Sequence, residues 1–530
     1  MSALSTVSVL AAGTATSTDS PFTAPSISYA AIAPILIVLA AACAGVLVEA
    51  IVPQAQRFYT QVGLTALALA AAFIDVVAIR GHSVVTAGNA LTIDSTALFI
   101  QGTILVLGLL SVLLLAERSV ESGSAIVASA AVVVGSAADR RLATSERVQT
   151  EIFPLTLFAV GGMLIFPAAN NLLLMFVALE VFSLPLYLMA GLSRRRRLLS
   201  QEAAIKYFLL GAFASAFFLY GIALIYGYAN TVNLSGVLLA QSTSSQSDVL
   251  LYLGFGMLIV GLLFKAGIAP FHSWTPDVYQ GSPTPVTAFM ASCTKIAAFG
   301  AIIRVLYVGF SVSSWNWRPI IWAVAIASVV VGAVLGLTQT DVKRVLAYSS
   351  IAHAGFILVP LVAVQSNGKD ALSSVLFYLA SYGLTTVAAF GLVTLVRDSN
   401  GEATHLSQWS GLAKRSPLFA ATFTFLLLGF AGIPLTSGFI GKFVVFRAAF
   451  HTAAPLVVVA LVGSAVAAFF YLRIVVMMYF AEPAEDGPTV TIPSIFSYLS
   501  IAVGTIATVV LGVFPQPLLD LANNAAKIRG

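Results

Sequence analysis

The feature that most limits what this chain can become is a succession of apolar runs, each about 20 residues long, spread over nearly its whole length. At 1.5 Å of rise per helical residue, such a run matches the roughly 30 Å hydrocarbon core of a bilayer. Strands of a membrane barrel would be about 10 residues long and would alternate in polarity, and these runs do not. Only 9% of the residues are charged and 59% are apolar, whereas a soluble domain carries roughly 25% charged residues. Lipid is the solvent that such a composition fits, and inside lipid the backbone must satisfy itself. The expected fold class is an all-α polytopic membrane protein with about fourteen transmembrane helices. Their expected limits are 30–51, 62–79, 96–116, 152–168, 170–191, 202–227, 249–274, 284–308, 318–337, 343–365, 371–396, 417–447, 454–479 and 493–514.

Charge sets the expected sidedness. Fourteen crossings place Arg57, Arg118, Arg140, Arg141, Arg147, Arg194–Arg197, Lys343, Arg344, Arg397, Lys414 and Arg415 on one side. The other side receives Arg80, Arg318, Lys369, Arg447, Lys527 and Arg529. Basic loops stay in the cytoplasm, so both termini are expected outside, in a bacterial plasma membrane. The apolar stretch Ala125–Ala137 is short and flanked by charges, so it is expected as an interfacial or loop insertion. Residues 1–29 hold no Lys or Arg and lack the basic start of a signal peptide, which favours a retained, exported tail. The net charge of +5 belongs to the loops and gives no reason to expect nucleic acid. Cys43 and Cys293 lie in apolar runs and are expected as packing residues, with no metal site. The Arg194–Arg197 run could also meet anionic lipid.

Two glycine- and proline-interrupted segments stand out. Phe264-Lys-Ala-Gly-Ile-Ala-Pro270 and Phe430-Ala-Gly-Ile-Pro434 each interrupt a long apolar run, and the two runs cross in opposite directions. Paired interruptions of this kind mark inverted transport repeats. The expected organisation is an exported tail at 1–29, three helices and a loop at 30–150, a first five-helix repeat at 151–315, an inverted second repeat at 316–482, and a last helix with the C-terminus at 483–530. Pro270 and Pro434 are expected as the helix breaks, because proline removes a ladder hydrogen bond. The carbonyls freed there must line water or protein, and Lys265 and Lys442 are expected beside hydrated pockets.

Several ionisable residues fall where a membrane helix should be apolar. Glu180, Lys265, Lys295 and Lys442 all sit mid-segment, at about 2.5–3.5 kcal/mol each on insertion scales. Pairing Glu180 with Lys265 or Lys206 would offset part of that cost. A lysine balanced between a dry site and a carboxylate is suited to carrying a proton. A static salt bridge is the bland alternative, and for Lys206 so is snorkelling to the headgroups. His272 and His353 join as candidate relays, since imidazole exchanges protons near neutral pH.

Four motifs in order resemble the antiporter-like subunits of respiratory complex I. They are Asn170–Tyr187 around Glu180, Phe264–Pro285 around Lys265, Asp341–His353, and Gly432–Lys442. Lys442 and the absence of a long lateral helix after the fourteenth span are similar to the subunit N branch of that family. The resemblance implies that Glu180 modulates Lys265, that Lys265 is a switchable proton carrier, that Lys295 is the central relay, and that Lys442 is the exchange site. It further implies a non-redox proton-translocating role coupled to quinone reduction elsewhere. NADH, flavin, iron–sulfur clusters and quinone would then belong to partner subunits, with no cofactor in this chain. The antiporter-like subunit M and the small subunits K and J are the implied neighbours. A multisubunit cation/proton antiporter and a membrane-bound hydrogenase share the fold and remain alternatives. So does a scaffold that moves no protons.

Overall fold

A computed structural model describes residues 26–120, 124–128, 132, 136–137, 141, 148–243, 247–398, 401–483 and 487–529; the side chains of 364–367 are not described. Its helices are α1 (Tyr29–Ile51), α2 (Gln54–Ala78), α3 (Ser95–Leu115), α4 (Ile152–Ile165), α5 (Leu172–Ala190), α6 (Arg197–Ala229), α7 (Leu234–Thr243), α8 (Val249–Ala266), α9 (Trp274–Gly281), α10 (Thr284–Gly309), α11 (Ser314–Thr338), α12 (Val342–Leu358), α13 (Val364–Val393), α14 (Pro417–Ala431), α15 (Ser437–Phe480), α16 (Ile495–Val513) and α17 (Gln516–Ala525). Among the described residues, twelve helices are long and apolar enough to cross a membrane. Two shorter apolar helices, Ile152–Ala168 and Pro417–Ala431, accompany them. The fold is thus the expected polytopic helical one.

The layers follow from polarity. Helices α10 and α12 are buried on every side, with Tyr307 and Arg344 their half-exposed residues. Helices α1, α2, α6 and α16 are peripheral and present Leu47, Leu67, Phe213 and Ile506 outward. Outward apolar side chains cost nothing in lipid, where helix contacts rest on close packing.

Several limits differ from expectation. The run 249–274 stops as helix at Ala266, and 417–447 divides at Ala431. The helices expected at 417–447 and 454–479 meet in the 44-residue α15, whose backbone leaves helical geometry at Ala453 (φ −142°, ψ 41°) beside Pro455. Ser124–Ala128 is extended: Ile126 bridges Ser193, with Val127 N–H on the Leu192 carbonyl at 2.8 Å. The rest of the Ala125–Ala137 stretch is almost entirely outside the described residues, as is the tail up to residue 25.

Two parts of the chain share local detail. Asn171 caps α5 through the Leu173 and Leu174 N–H groups, and Asp341 caps α12 through Lys343 and Arg344. Leu172 N–H meets the Val232 carbonyl and Val342 N–H meets that of Thr404, each at 2.8 Å. A methyl group on Gly162 would strike Phe182 and Ala178; one on Gly332 would strike Ala352 and Tyr348. The glycines and the residues that they face lie at equal sequence separations, so α4–α5 and α11–α12 cross by the same close approach.

Candidate functional site

The two helix interruptions are built by glycine. Helix α8 ends at Gly267 (φ +70°) and α14 at Gly432 (φ +84°), both left-handed. In each, the next amide reaches back over the last turn: Ile268 N–H to the Leu263 carbonyl and Ile433 N–H to that of Leu428, both 3.0 Å. This is the Schellman end that glycine permits. Pro270 and Pro434 lie inside the interruptions but after the ladder has ended, so their part is to prevent the helix from resuming. The freed carbonyls line protein. Phe264 O accepts from Trp274 Nε1 at 2.8 Å, while Phe430 O and Ala431 O each accept from Lys442 Nζ at 2.8 Å. Protein side chains hold them.

Lys265, in the last turn of α8, is 3% exposed. Its ammonium donates to Ser183 Oγ at 2.7 Å and Tyr207 Oη at 3.2 Å. The Phe182, Tyr207 and Tyr187 ring centroids lie 4.5, 5.2 and 5.7 Å from it. Three π faces and two hydroxyls thus replace its water. Glu180 is half-buried one turn before Ser183 and accepts a short hydrogen bond from Ser215. The expected direct pairing of Glu180 with Lys265 or Lys206 is absent: no such ion pair forms within 4 Å. Lys206 is instead partly exposed near the start of α6, where Glu202 and Asp277 both bind it at 2.7 Å. Those carboxylates lie at the bundle's end, where Lys206 can reach them without burying its charge. His272 is half-buried in the first interruption, and no hydrogen bond joins it to Lys265 among the described residues.

The second cluster hangs on one face of α12. Lys295, 2% exposed on α10, donates to the Ser350 carbonyl at 2.5 Å and lies 5.6 Å from the Tyr382 ring. His353, one turn after Ser349, contacts Tyr378 Oη through Nδ1 at 2.6 Å and Tyr471 Oη through Nε2 at 3.4 Å. Tyr471 also shares a short hydrogen bond with Ser349. Phe356, three residues on, places its ring 5.2 Å from Lys442 Nζ. Lys442 completes its coordination on Ser464 Oγ at 2.8 Å. A cavity of about 420 Å³, lined by Phe439, Phe443, Phe446, Arg447 and Leu461 among others, opens beside it. Sequence reasoning missed Ser183, Ser215, Tyr207, Tyr378, Tyr471 and Ser464. The tyrosines carried a signal, since a buried phenol needs a partner for its hydroxyl.

Ionic groups gather at the two ends of α10. At its start, Glu402 on the hairpin β1 (Val396–Asp398)–β2 (Gly401–Glu402) accepts from Thr284 Oγ1 at 2.6 Å and Lys343 Nζ at 3.4 Å. Burial pushes the Glu402 carboxyl up, but the charges of Lys343 and Arg397 and the Thr284 hydrogen bond outweigh it and leave it at about 2. A depressed carboxyl stabilises the fold fully above its ordinary value near 4.5, and that stability is lost as pH falls toward 2. Glu402→Gln should therefore remove part of the acid sensitivity of unfolding between pH 4.5 and 2. Thermal melts of the detergent-solubilised protein would show it, and an unchanged acid profile would refute it. Among the described residues no group of three or more His, Cys, Asp or Glu side chains could hold a metal ion.

Comparison with known proteins agrees with this geometry. Residues 169–481 match the family described as NADH:quinone oxidoreductase/Mrp antiporter, transmembrane. The chain is 60% identical over 506 residues to NADH-quinone oxidoreductase subunit N of Saccharopolyspora erythraea, covering 94% of this chain and 98% of that one. It is 55% identical over 524 residues to the subunit N of Rhodococcus opacus, covering 95% and 96%. Among solved structures, a chain of respiratory complex I from Thermus thermophilus with bound aureothin is 33% identical, with TM-score 0.74 over 92% of this chain and 99% of that chain. A chain of the Mrp complex from Dietzia sp. shares the fold at 21% identity, with TM-score 0.78 over 94% and 97%. The chain is a multi-pass membrane component of a multisubunit complex, and it belongs to the NADH:quinone oxidoreductase/Mrp antiporter family, in the subunit N group of respiratory complex I.

Proposed function

We propose that this chain translocates protons across the membrane as a non-redox subunit of NADH:quinone oxidoreductase. Glu180, Lys265, Lys295, His353 and Lys442 form the path, and quinone reduction in partner subunits drives it. The observation that carries this reading is the state of the three lysines. Each is at most 5% exposed, and each is held by hydroxyls, carbonyls and aromatic rings. Among the described residues none has a carboxylate within 4 Å. A buried lysine with neutral partners gives up its proton far more readily than a paired one. A static salt bridge would need the opposite arrangement.

In this reading Glu180 acts on Lys265 through Ser183 and the intervening space. His353, with Tyr378 and Tyr471, bridges Lys295 toward Lys442. Lys206 and His272 stand at the edge of the path, Lys206 as part of the end cluster and His272 in the first interruption. NADH, flavin, iron–sulfur clusters and quinone are held by partner subunits, with subunits M, K and J as neighbours. The chain lies in the bacterial plasma membrane with fourteen crossings and both termini outside. The paired glycine ends and equal cap spacings support two inverted repeats, at 151–315 and 316–482, between the segments 30–150 and 483–530.

The test is Lys265→Met in the intact complex, reconstituted in vesicles. The expected result is fewer protons moved per NADH oxidised, with the complex still assembled. A normal proton-to-electron ratio would sink the reading. Loss of NADH:quinone activity from the complex that co-purifies with the native chain would instead favour a cation/proton antiporter or a hydrogenase assembly.

A further inference from the structure

Helix α10 carries Lys295 in its middle and Arg304 toward its far end, Lys343 of α12 stands at its near end, and neither end belongs to the proton path. At the far end Arg304 is 1% exposed and pairs with Asp94, also 1% exposed, at 2.9 Å. Arg304 Nε donates to the Pro167 carbonyl at 2.6 Å and Nη1 to the Arg529 carbonyl at 3.1 Å. The Arg529 amide returns to Asp94 Oδ2 at 3.0 Å, and Asp94 Oδ1 caps α3 through Ala97 N–H at 2.8 Å. Thr96 Oγ1 holds the Ala525 carbonyl at 2.7 Å. The segment after α17 is thereby folded over the end of α10. At the near end Lys343, 1% exposed, donates to the Ser282 carbonyl at 2.7 Å and to Glu402.

We propose that these two ion pairs, Asp94–Arg304 and Lys343–Glu402, seal the ends of the central helix and stop protons from crossing vertically at Lys295. The inference rests on the proposed path in one respect only, that Lys295 can hold and release a proton. Lys295 is nine residues from Arg304, about 13 Å along a helix, so the seals stand near the two faces of the hydrocarbon core. A fixed positive charge in a dry constriction turns away protons and other cations. Arginine is suited to the far end because it cannot be deprotonated in a protein. Its hydrogen bonds go to two main-chain carbonyls and Asp94, and the side chain is fully buried. Sealed above and below, Lys295 can exchange protons only sideways, along the face of α12 toward His353.

Passive proton leak separates a seal from ion pairs that merely hold the helices together. The intact complex, reconstituted in vesicles without NADH, would be given a pH difference across the membrane, and its decay followed with a pH-sensitive dye. The double variant Asp94→Asn with Arg304→Gln keeps a polar amide at each position while removing both charges. It should raise passive proton leak at least about tenfold, the factor that a loss of 1.4 kcal/mol from a barrier gives. An assembled complex as tight as the wild type would overturn the proposal. Arg304→Lys provides the second reading should the double variant fail to assemble. The charged group facing it is Asp94, with the Arg529 main chain beside it. A lysine paired with Asp94 keeps its proton, so Arg304→Lys should stay as tight as the wild type from pH 7 to 9. An assembled Arg304→Lys complex that leaks about tenfold more than the wild type would overturn the proposal equally. Because no turnover is involved, a normal result for Lys265→Met would count against the pumping path and leave this measurement standing.

Discussion

Gly438→Ala is expected to remove the chain from the assembled complex. Gly438 opens α15 just after the second interruption, and its α-carbon lies against the end of α14. A methyl group there would come within 1.9 Å of the Gly429 carbonyl oxygen and 2.9 Å of its carbon. Both are main-chain atoms, so no rotamer change can make room, and the two half-helices must separate. Overpacking of this kind costs about 3 kcal/mol or more, close to a 100-fold shift in a folding equilibrium and a large part of a domain's stability. The same separation would draw Lys442, one turn further on, away from Phe430 O and Ala431 O. Blue-native gels of membranes should show the subunit missing from the complex. Gly63→Ala is the control, since a methyl group there meets nothing within 4 Å. Normal assembly of the Gly438 variant would show that the close approach is not needed.

Lys442→Met is expected to leave the complex assembled and to lower proton transfer, with the NADH oxidation coupled to it, by about 100-fold, the scale on which a positioned proton-transfer group contributes. Methionine keeps the length and apolar stem of lysine but gives none of the three hydrogen bonds to Phe430 O, Ala431 O and Ser464 Oγ. The adjoining cavity can admit water to those carbonyls, which limits the cost to the fold. Lys442→Arg separates charge from exchange. Arginine keeps the cation but cannot release its proton, so it should fail in pumping as methionine does. Proton uptake by vesicles during NADH oxidation measures both. Wild-type pumping by either variant would remove Lys442 from the path.

Membrane residence and helix were legible because a run of about 20 apolar residues has one stable solution in lipid. The three buried lysines were legible for the same reason, since a charge in such a run is costly and must be answered. Their partners were not. Depth in the membrane matched Lys265 with Glu180, yet Lys265 meets Ser183, Tyr207 and three aromatic rings that approach from α5 and α6. Lys206 was a second candidate for Glu180, yet Glu202 and Asp277 bind it.

The sequence by itself determined which residues must be inside lipid, where the helices are interrupted, and that a cation sits near each interruption. Those are properties of short stretches, set by hydrophobic length and by the conformations open to glycine and proline. Only the tertiary structure decided what faces each cation. It brought Ser350, His353 and Phe356 of one helix to Lys295, two tyrosines and Lys442, and it folded the C-terminal segment against Asp94 and Arg304. The physical reason is reach. A buried charge is settled by whatever polar atoms lie within about 3 Å of it, and in a bundle those atoms come from helices far apart in the chain.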